Sequence, residues 1–169
     1  RAVPRPIYTD PEIAGVGPTD QEAREQYGDD VEVGMFPWVA NARAVMQNET
    51  TGWVKSIHES RYGELLGLVM VGPHVTDLIE AGVVAIDAEA TVETVADGMA
   101  AHPTLSEAIK EAGLVALGRA IHLPNRQRAK AANRSLKSNW PACKAQRVLP
   151  QTPGRNMHQP PKRKPRPPN

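Results

Sequence analysis

The 169-residue sequence predicts an α+β fold, an antiparallel sheet covered by helices. Up to Gly72 the apolar residues come in short alternating or continuous runs, as strands do. Beyond Pro73 they recur every three or four positions, as amphipathic helices do. Acidic residues stop at Glu111 and a proline-rich basic segment follows, so the folded body closes near that point.

Residues 1–12 are broken up by prolines and read as extended. Ile13-Ala14-Gly15-Val16-Gly17 is a short apolar run with glycines at close contacts, the mark of a buried strand. Thr19-Asp20-Gln21-Glu22 sets a carboxylate three residues after a hydroxyl. That is a capping box, and it opens a helix that Gly28 closes. Val31-Glu32-Val33-Gly34-Met35-Phe36 alternates and reads as a strand, as does Gly52-Trp53-Val54-Lys55-Ser56-Ile57-His58. Arg61-Tyr62-Gly63-Glu64 is a turn. The continuous run from Leu65 to Gly72 is expected to be a central strand buried on both faces, hairpinned to the strand before it. Val75, Leu78, Ile79, Val83 and Ile86 share one helix face, suited to the core or a subunit interface. A short helix follows from Val92 to Asp97, with Thr91 as cap and Gly98 as stop. Thr104-Leu105-Ser106-Glu107 repeats the capping-box pattern and starts a helix carrying Leu105, Ile109, Ala112, Ala116 and Leu117.

The net charge of +1 conceals a split. Residues 1–118 hold 7 Lys and Arg against 19 Asp and Glu, a balance of −12; from Arg119 on there are 13 basic residues and no acid. Nine of the 16 prolines also lie beyond Gly118. The expected division is a folded domain, residues 1–125, and a basic proline-rich tail, residues 126–169, which has no core and is expected to be disordered. Hydrophobic residues at 40% and charged residues at 23% suit a globular body. No apolar run approaches the roughly 18 residues of a membrane span, and the first residues lack a signal peptide's apolar core. A cytoplasmic location is expected. Cys143 is the single cysteine, which excludes an internal disulfide and a cysteine-based metal site; no metal site is expected. His58, His74 and His122 lack partners at ligand spacing and read as surface or turn residues. Trp38 and Trp53 read as packing groups.

The chemistry concentrates in His102-Pro103-Thr104-Leu105-Ser106-Glu107. Imidazole is the side chain best suited to moving protons near neutral pH. Glu107, in the first turn of the predicted helix, can reach back to one ring nitrogen. That would fix the tautomer, stabilise the protonated ring and leave the other nitrogen to act as base. Pro103 fixes the backbone between them and permits a cis His-Pro bond. The plainer alternative is that Glu107 only completes a helix cap and His102 is structural or solvated.

Five segments, in this order, carry a resemblance. They are Ile7-Tyr8-Thr9-Asp10-Pro11-Glu12-Ile13-Ala14-Gly15-Val16-Gly17, Asn41-Ala42-Arg43-Ala44, Gly52-Trp53-Val54-Lys55, Leu66-Gly67 with Val71-Gly72-Pro73, and His102-Pro103-Thr104-Leu105-Ser106-Glu107-Ala108. Together they resemble the C-terminal dimerisation domain of the pyridine-nucleotide disulfide oxidoreductases, over residues 3 to 125. The segments at Asn41 and Gly52 resemble that domain's middle strands. The Leu-Ser-Glu-Ala ending is similar to lipoamide dehydrogenases rather than glutathione reductases.

The resemblance implies a homodimer whose active sites lie at the subunit interface. One subunit supplies a redox-active cysteine pair and FAD; the other supplies the His of the His-Pro-Thr motif. His102 would deprotonate a thiol of dihydrolipoamide, since the thiolate is the nucleophile of disulfide exchange, and Glu107 would hold and polarise it. His102 and Pro103 would lie near the partner's FAD. Electrons would pass to the cysteine pair, to FAD and then to NAD, and a lipoamide-bearing acyltransferase complex is the implied partner. The chain shows no G-x-G-x-x-G fingerprint and no cysteine pair. Alone, it is expected to bind neither FAD nor NAD and not to turn over.

Two other classes compete with this reading. One is a non-catalytic, stand-alone dimerisation module. The other is a binder of nucleic acid or of an acidic partner through the basic tail. The tail lacks interleaved aromatics and a nucleic-acid-binding signature, which makes nucleic acid the weaker partner. The absence of acids over the 51 residues from Arg119 is also what translation of a GC-rich alternative frame produces.

Overall fold

The computed structural model describes residues 2–125, which lie within one compact unit, Arg1–Ala132. The tail expected from residue 126, with Trp140 and Cys143, lies outside the described residues. Five strands build one antiparallel sheet: β1 (Arg5–Ile7), β2 (Glu12–Val16), β3 (Val31–Pro37), β4 (Trp53–Glu59) and β5 (Leu65–Gly72), ordered β1-β2-β5-β4-β3. Among the described residues five α-helices, with a 3-10 turn at Trp38–Ala40, complete the fold: α1 (Asp20–Tyr27), α2 (Ala42–Gln47), α3 (Val75–Asp87), α4 (Val92–Asp97) and α5 (Glu107–Ala116). The architecture is the α+β one expected from the apolar periods.

β5 is central because its continuous apolar run suits burial on both faces. Val71 faces Ile13 of β2 on one side and Trp53 of β4 on the other. β4 and β5 form the expected hairpin, with a register shift between Ile57 and His58. That shift accompanies a misjudged residue. His58 was expected at the surface, yet it is buried in β4 with its ring toward Glu32. Alternation within the sheet, not hydropathy, decides its place.

The capping box at α1 forms as expected. Thr19 Oγ1 accepts the Glu22 N–H at 3.3 Å, while Glu22 Oε2 accepts the Thr19 N–H at 2.8 Å. Gly28, at φ 61°, ends the helix. At residues 1–12 the extended segment contains an edge strand. Pro6 sits opposite Ala14, a place where a missing N–H costs nothing because the outer edge is unpaired.

Asn41-Ala42-Arg43-Ala44, expected to resemble a middle strand, is instead the start of α2. Asn41 decides this locally: its Oδ1 accepts the Ala44 N–H at 2.9 Å, an N-cap geometry. At α5 the second capping box is only half made. Glu107 Oε2 accepts the Thr104 N–H at 2.8 Å, but Thr104 Oγ1 donates to Ala101 O at 2.7 Å, and the helix begins three residues later, at Glu107.

The main core gathers Val16, Phe36, Trp38, Val54, Leu68 and Met70 of the sheet region with Val75 and Ile79 of α3 and Ile109 and Ala112 of α5. Trp38 is fully buried and its indole N–H donates to Val71 O at 2.7 Å, so it packs without stranding a polar atom. A smaller cluster, Ala23, Val31, Ile57 and Leu66, lies under α1. No helix among the described residues is long and apolar enough to cross a membrane.

α5 lies directly on β3 and β4. Gly34 of β3 permits this: a Cβ there would strike the Ala112 carbonyl oxygen and Ala116 of the helix. Because both obstacles include helix backbone, relief requires moving α5. Gly34→Ala is therefore expected to cost about 1–3 kcal/mol of stability, the usual range for overpacking. Denaturant unfolding of the chain measures it; a loss under about half a kcal/mol would contradict this packing.

Candidate active site

The loop between α4 and α5 runs from Gly98 to Ser106 and carries His102. The His102–Pro103 peptide is cis. Thr104 ties the loop down at three points. Its Oγ1 donates to Ala101 O, so the 3.0 Å contact with Ser106 Oγ has serine as donor. Its N–H goes to Glu107, and its carbonyl accepts from Asn41 Nδ2 at 3.0 Å. Asn41 is itself buried, so the cap of α2 also buttresses the loop.

Within this frame Glu107 reaches His102. Glu107 Oε1 is 2.9 Å and Oε2 3.2 Å from His102 Nδ1. An ionised carboxylate only accepts, so Nδ1 carries the proton and Nε2 is left free. The imidazole is 60% exposed and the carboxylate 15%. Burial pushes the Glu107 carboxyl up, but the Thr104 N–H, the His102 hydrogen bond and the nearby charges of His102 and His122 outweigh it. The net effect holds Glu107 below its ordinary range. The carboxylate stays ionised and the ring stays oriented. The two expected site residues are thus brought together, with Pro103 half-buried between them.

His122 is exposed in a bend, as expected of a surface or turn residue, but it has a partner that was not anticipated from the sequence, Glu111: Nδ1 lies 2.9 Å from Oε1. Its ring is parallel to that of His102 within 2°, with centroids 6.4 Å apart. The signal in the sequence was Glu111 itself, an acid on the apolar stripe of a helix, which requires a buried partner. His74 is an exposed turn residue at φ 53°, as expected, and Arg43 is exposed. Among the described residues no group of three or more His, Cys, Asp or Glu side chains is placed to hold a metal.

Residues 3–113 match the model of a single family, the pyridine nucleotide-disulphide oxidoreductase dimerisation domain. The chain belongs to that family.

Curated relatives of this dimerisation domain include a dihydrolipoyl dehydrogenase of Bacillus subtilis, 44% identical over 120 residues, covering 71% of this chain and 26% of the relative. A dihydrolipoyl dehydrogenase of Zymomonas mobilis is 42% identical over the same length, again 71% and 26%. Among solved structures, LpdA from Mycobacterium tuberculosis is 34% identical with a TM-score of 0.60, covering 66% of this chain and 24% of that one. The HOCl-induced flavoprotein disulfide reductase RclA from Escherichia coli is 27% identical with a TM-score of 0.63, covering 67% and 26%. The chain therefore spans about a quarter of the length of the proteins it resembles.

The turns that lead from β2 into α1 and from β5 into α3 are closely packed: a Cβ at Gly17 would strike Leu66 O and one at Gly72 the Trp38 indole.

Glu107 links the site to stability. A carboxyl held low in the folded state contributes stability above the unfolded value, and that contribution is lost as pH falls through the folded one. The stability gap between the native chain and Glu107→Gln should be full near neutrality and shrink below about pH 4.5, the unfolded reference. Thermal unfolding at a series of pH values measures it; a gap constant with pH would contradict the assignment.

Proposed function

We propose that this chain is the interface domain of a cytoplasmic, homodimeric dihydrolipoyl dehydrogenase in which His102 is the acid/base. One observation carries the reading. The Nδ1 of His102 is engaged by Glu107 while the rest of the ring is turned outward, 60% exposed. A histidine oriented from behind and presented at the surface suits work on a second molecule, and in a dimerisation domain that molecule is the partner subunit.

On this reading Nε2 takes the proton from one thiol of dihydrolipoamide. The resulting thiolate attacks a disulfide on the partner subunit, breaking its S–S bond and forming a mixed disulfide. Nε2 then returns its proton to the thiolate released from that disulfide. Next Nε2 takes the proton of the second substrate thiol, whose thiolate attacks the substrate sulfur of the mixed disulfide, breaking that bond, closing the substrate disulfide and releasing the partner's second thiolate, so the dithiol is oxidised and the partner's disulfide reduced. Glu107 stabilises the imidazolium between the two transfers. Pro103 would face the partner's flavin together with His102. FAD and NAD belong, in this reading, to other domains of the whole enzyme, and a lipoamide-bearing acyltransferase complex supplies the substrate. The names of the Bacillus and Zymomonas relatives support dihydrolipoamide as the substrate.

The test joins residues 3–125 to the FAD- and NAD-binding domains of the Bacillus subtilis relative. His102→Gln in that flavoprotein is expected to lower kcat by about 10²–10⁴-fold, the usual contribution of a positioned acid/base. The flavin absorbance should be unchanged. Full turnover by the FAD-loaded variant would overturn the role.

A further inference from the structure

A second carboxylate–imidazole pair stands beside the first, and the role proposed for His102 does not use it. Glu111 follows Glu107 by four residues on α5, so the two carboxylates share a helix face. The Glu111 side chain is only 2% exposed. Its Oε1 pairs with His122 Nδ1 at 2.9 Å, and its Oε2 accepts the N–H groups of Ile121 at 3.2 Å and His122 at 3.5 Å. A carboxylate this deep is costly unless it is fully partnered, and these three bonds moor the segment after α5 to the helix.

His122 is therefore held at both backbone and ring. Its plane lies parallel to that of His102 at 6.4 Å between centroids, within the range of paired aromatic rings. His102, by contrast, is gripped at one nitrogen. A single hydrogen bond fixes one point of a ring and leaves it free to tilt.

We propose that the Glu111–His122 pair positions His102, holding the plane of its ring so that Nε2 points at one place on the partner subunit, and sets a second ionisable group beside the first. The inference rests on His102 being the acid/base. His122 is a positioning residue in it, not a catalytic one. The charge of His122 already reaches the first pair, since it helps hold Glu107 low, along with the Thr104 N–H and His102.

The test uses nuclear magnetic resonance on the full 169-residue chain, isotopically labelled, as the native sequence, His122→Ala, His122→Phe and Glu111→Gln. In the native chain the ring C–H bonds of His102 should have high order parameters, since its plane is held. In His122→Ala these should fall as the ring loosens, while the Nδ1–H tautomer set by Glu107 persists. His122→Phe supplies a plane without a charge and should restore them. The Glu107 carboxyl should titrate at higher pH in both His122 variants, because at carboxylate pH an ordinary imidazole is charged and that charge is gone. Glu111→Gln should behave like His122→Ala. If Glu111→Gln fails to fold, the His122 variants carry the test, their side chain being 40% exposed. Unchanged His102 ring order parameters and an unchanged Glu107 titration in folded His122→Ala would overturn the proposal. No turnover is read here, so loss of this inference and loss of the acid/base role are separable: the second shows only in the flavoprotein assay.

Discussion

The site depends on one carboxylate having two donors at once. Glu107 takes the Thr104 N–H and the His102 imidazole, the first binding the loop to the helix and the second binding the ring to the loop. Remove the first and the loop loses the tie that joins it to the helix. Remove the second and His102 is an ordinary surface histidine. The requirement is stringent because Glu107 is the first residue of α5, so its place is set by the whole helix. The helix in turn is set by its approach to β3, where Gly34 leaves room for the backbone of Ala112. A chain of close contacts thus runs from the edge of the sheet to a ring nitrogen at the surface.

Much of this was legible in the sequence. Amphipathic period and apolar runs located β2 to β5, α3 and α5, because burial on one face or two leaves a direct imprint on residue choice, and cap and stop residues located α1 and α4. His102 and Glu107 were legible because a short, rigid motif joins them and no distant segment is needed to bring them together. Glu107 also shows why local patterns are double-edged. The Thr-x-x-Glu spacing that suggested a helix cap makes half of one and also serves the imidazole, while Thr104 turns its hydroxyl away from the helix to Ala101 O.

What escaped notice depends on contacts between distant residues. Asn41 looked like part of a strand, since its cap on α2 and its bond to Thr104 O, 63 positions away, leave no periodic trace. His58 is buried because it continues the inward alternation of Val54 and Ser56 along β4. His122 meets Glu111 across 11 residues and stacks beside His102 across 20, and neither spacing belongs to a regular element. A buried acid on an apolar stripe was the one local sign that such a partner exists.

The central claim is that His102 acts across a subunit interface, and mixing subunits tests it most directly. One flavoprotein carrying this domain would have His102→Gln; the other would keep His102 and lose the cysteine pair of its flavin-binding domain. Each alone should be inactive. Unfolded together and reassembled, half the dimers are hybrids, each with one intact site made from both chains, so the account predicts recovery of about a quarter of native turnover. No recovery from hybrids that form and bind FAD would place His102 and the disulfide in the same subunit's site and contradict the account.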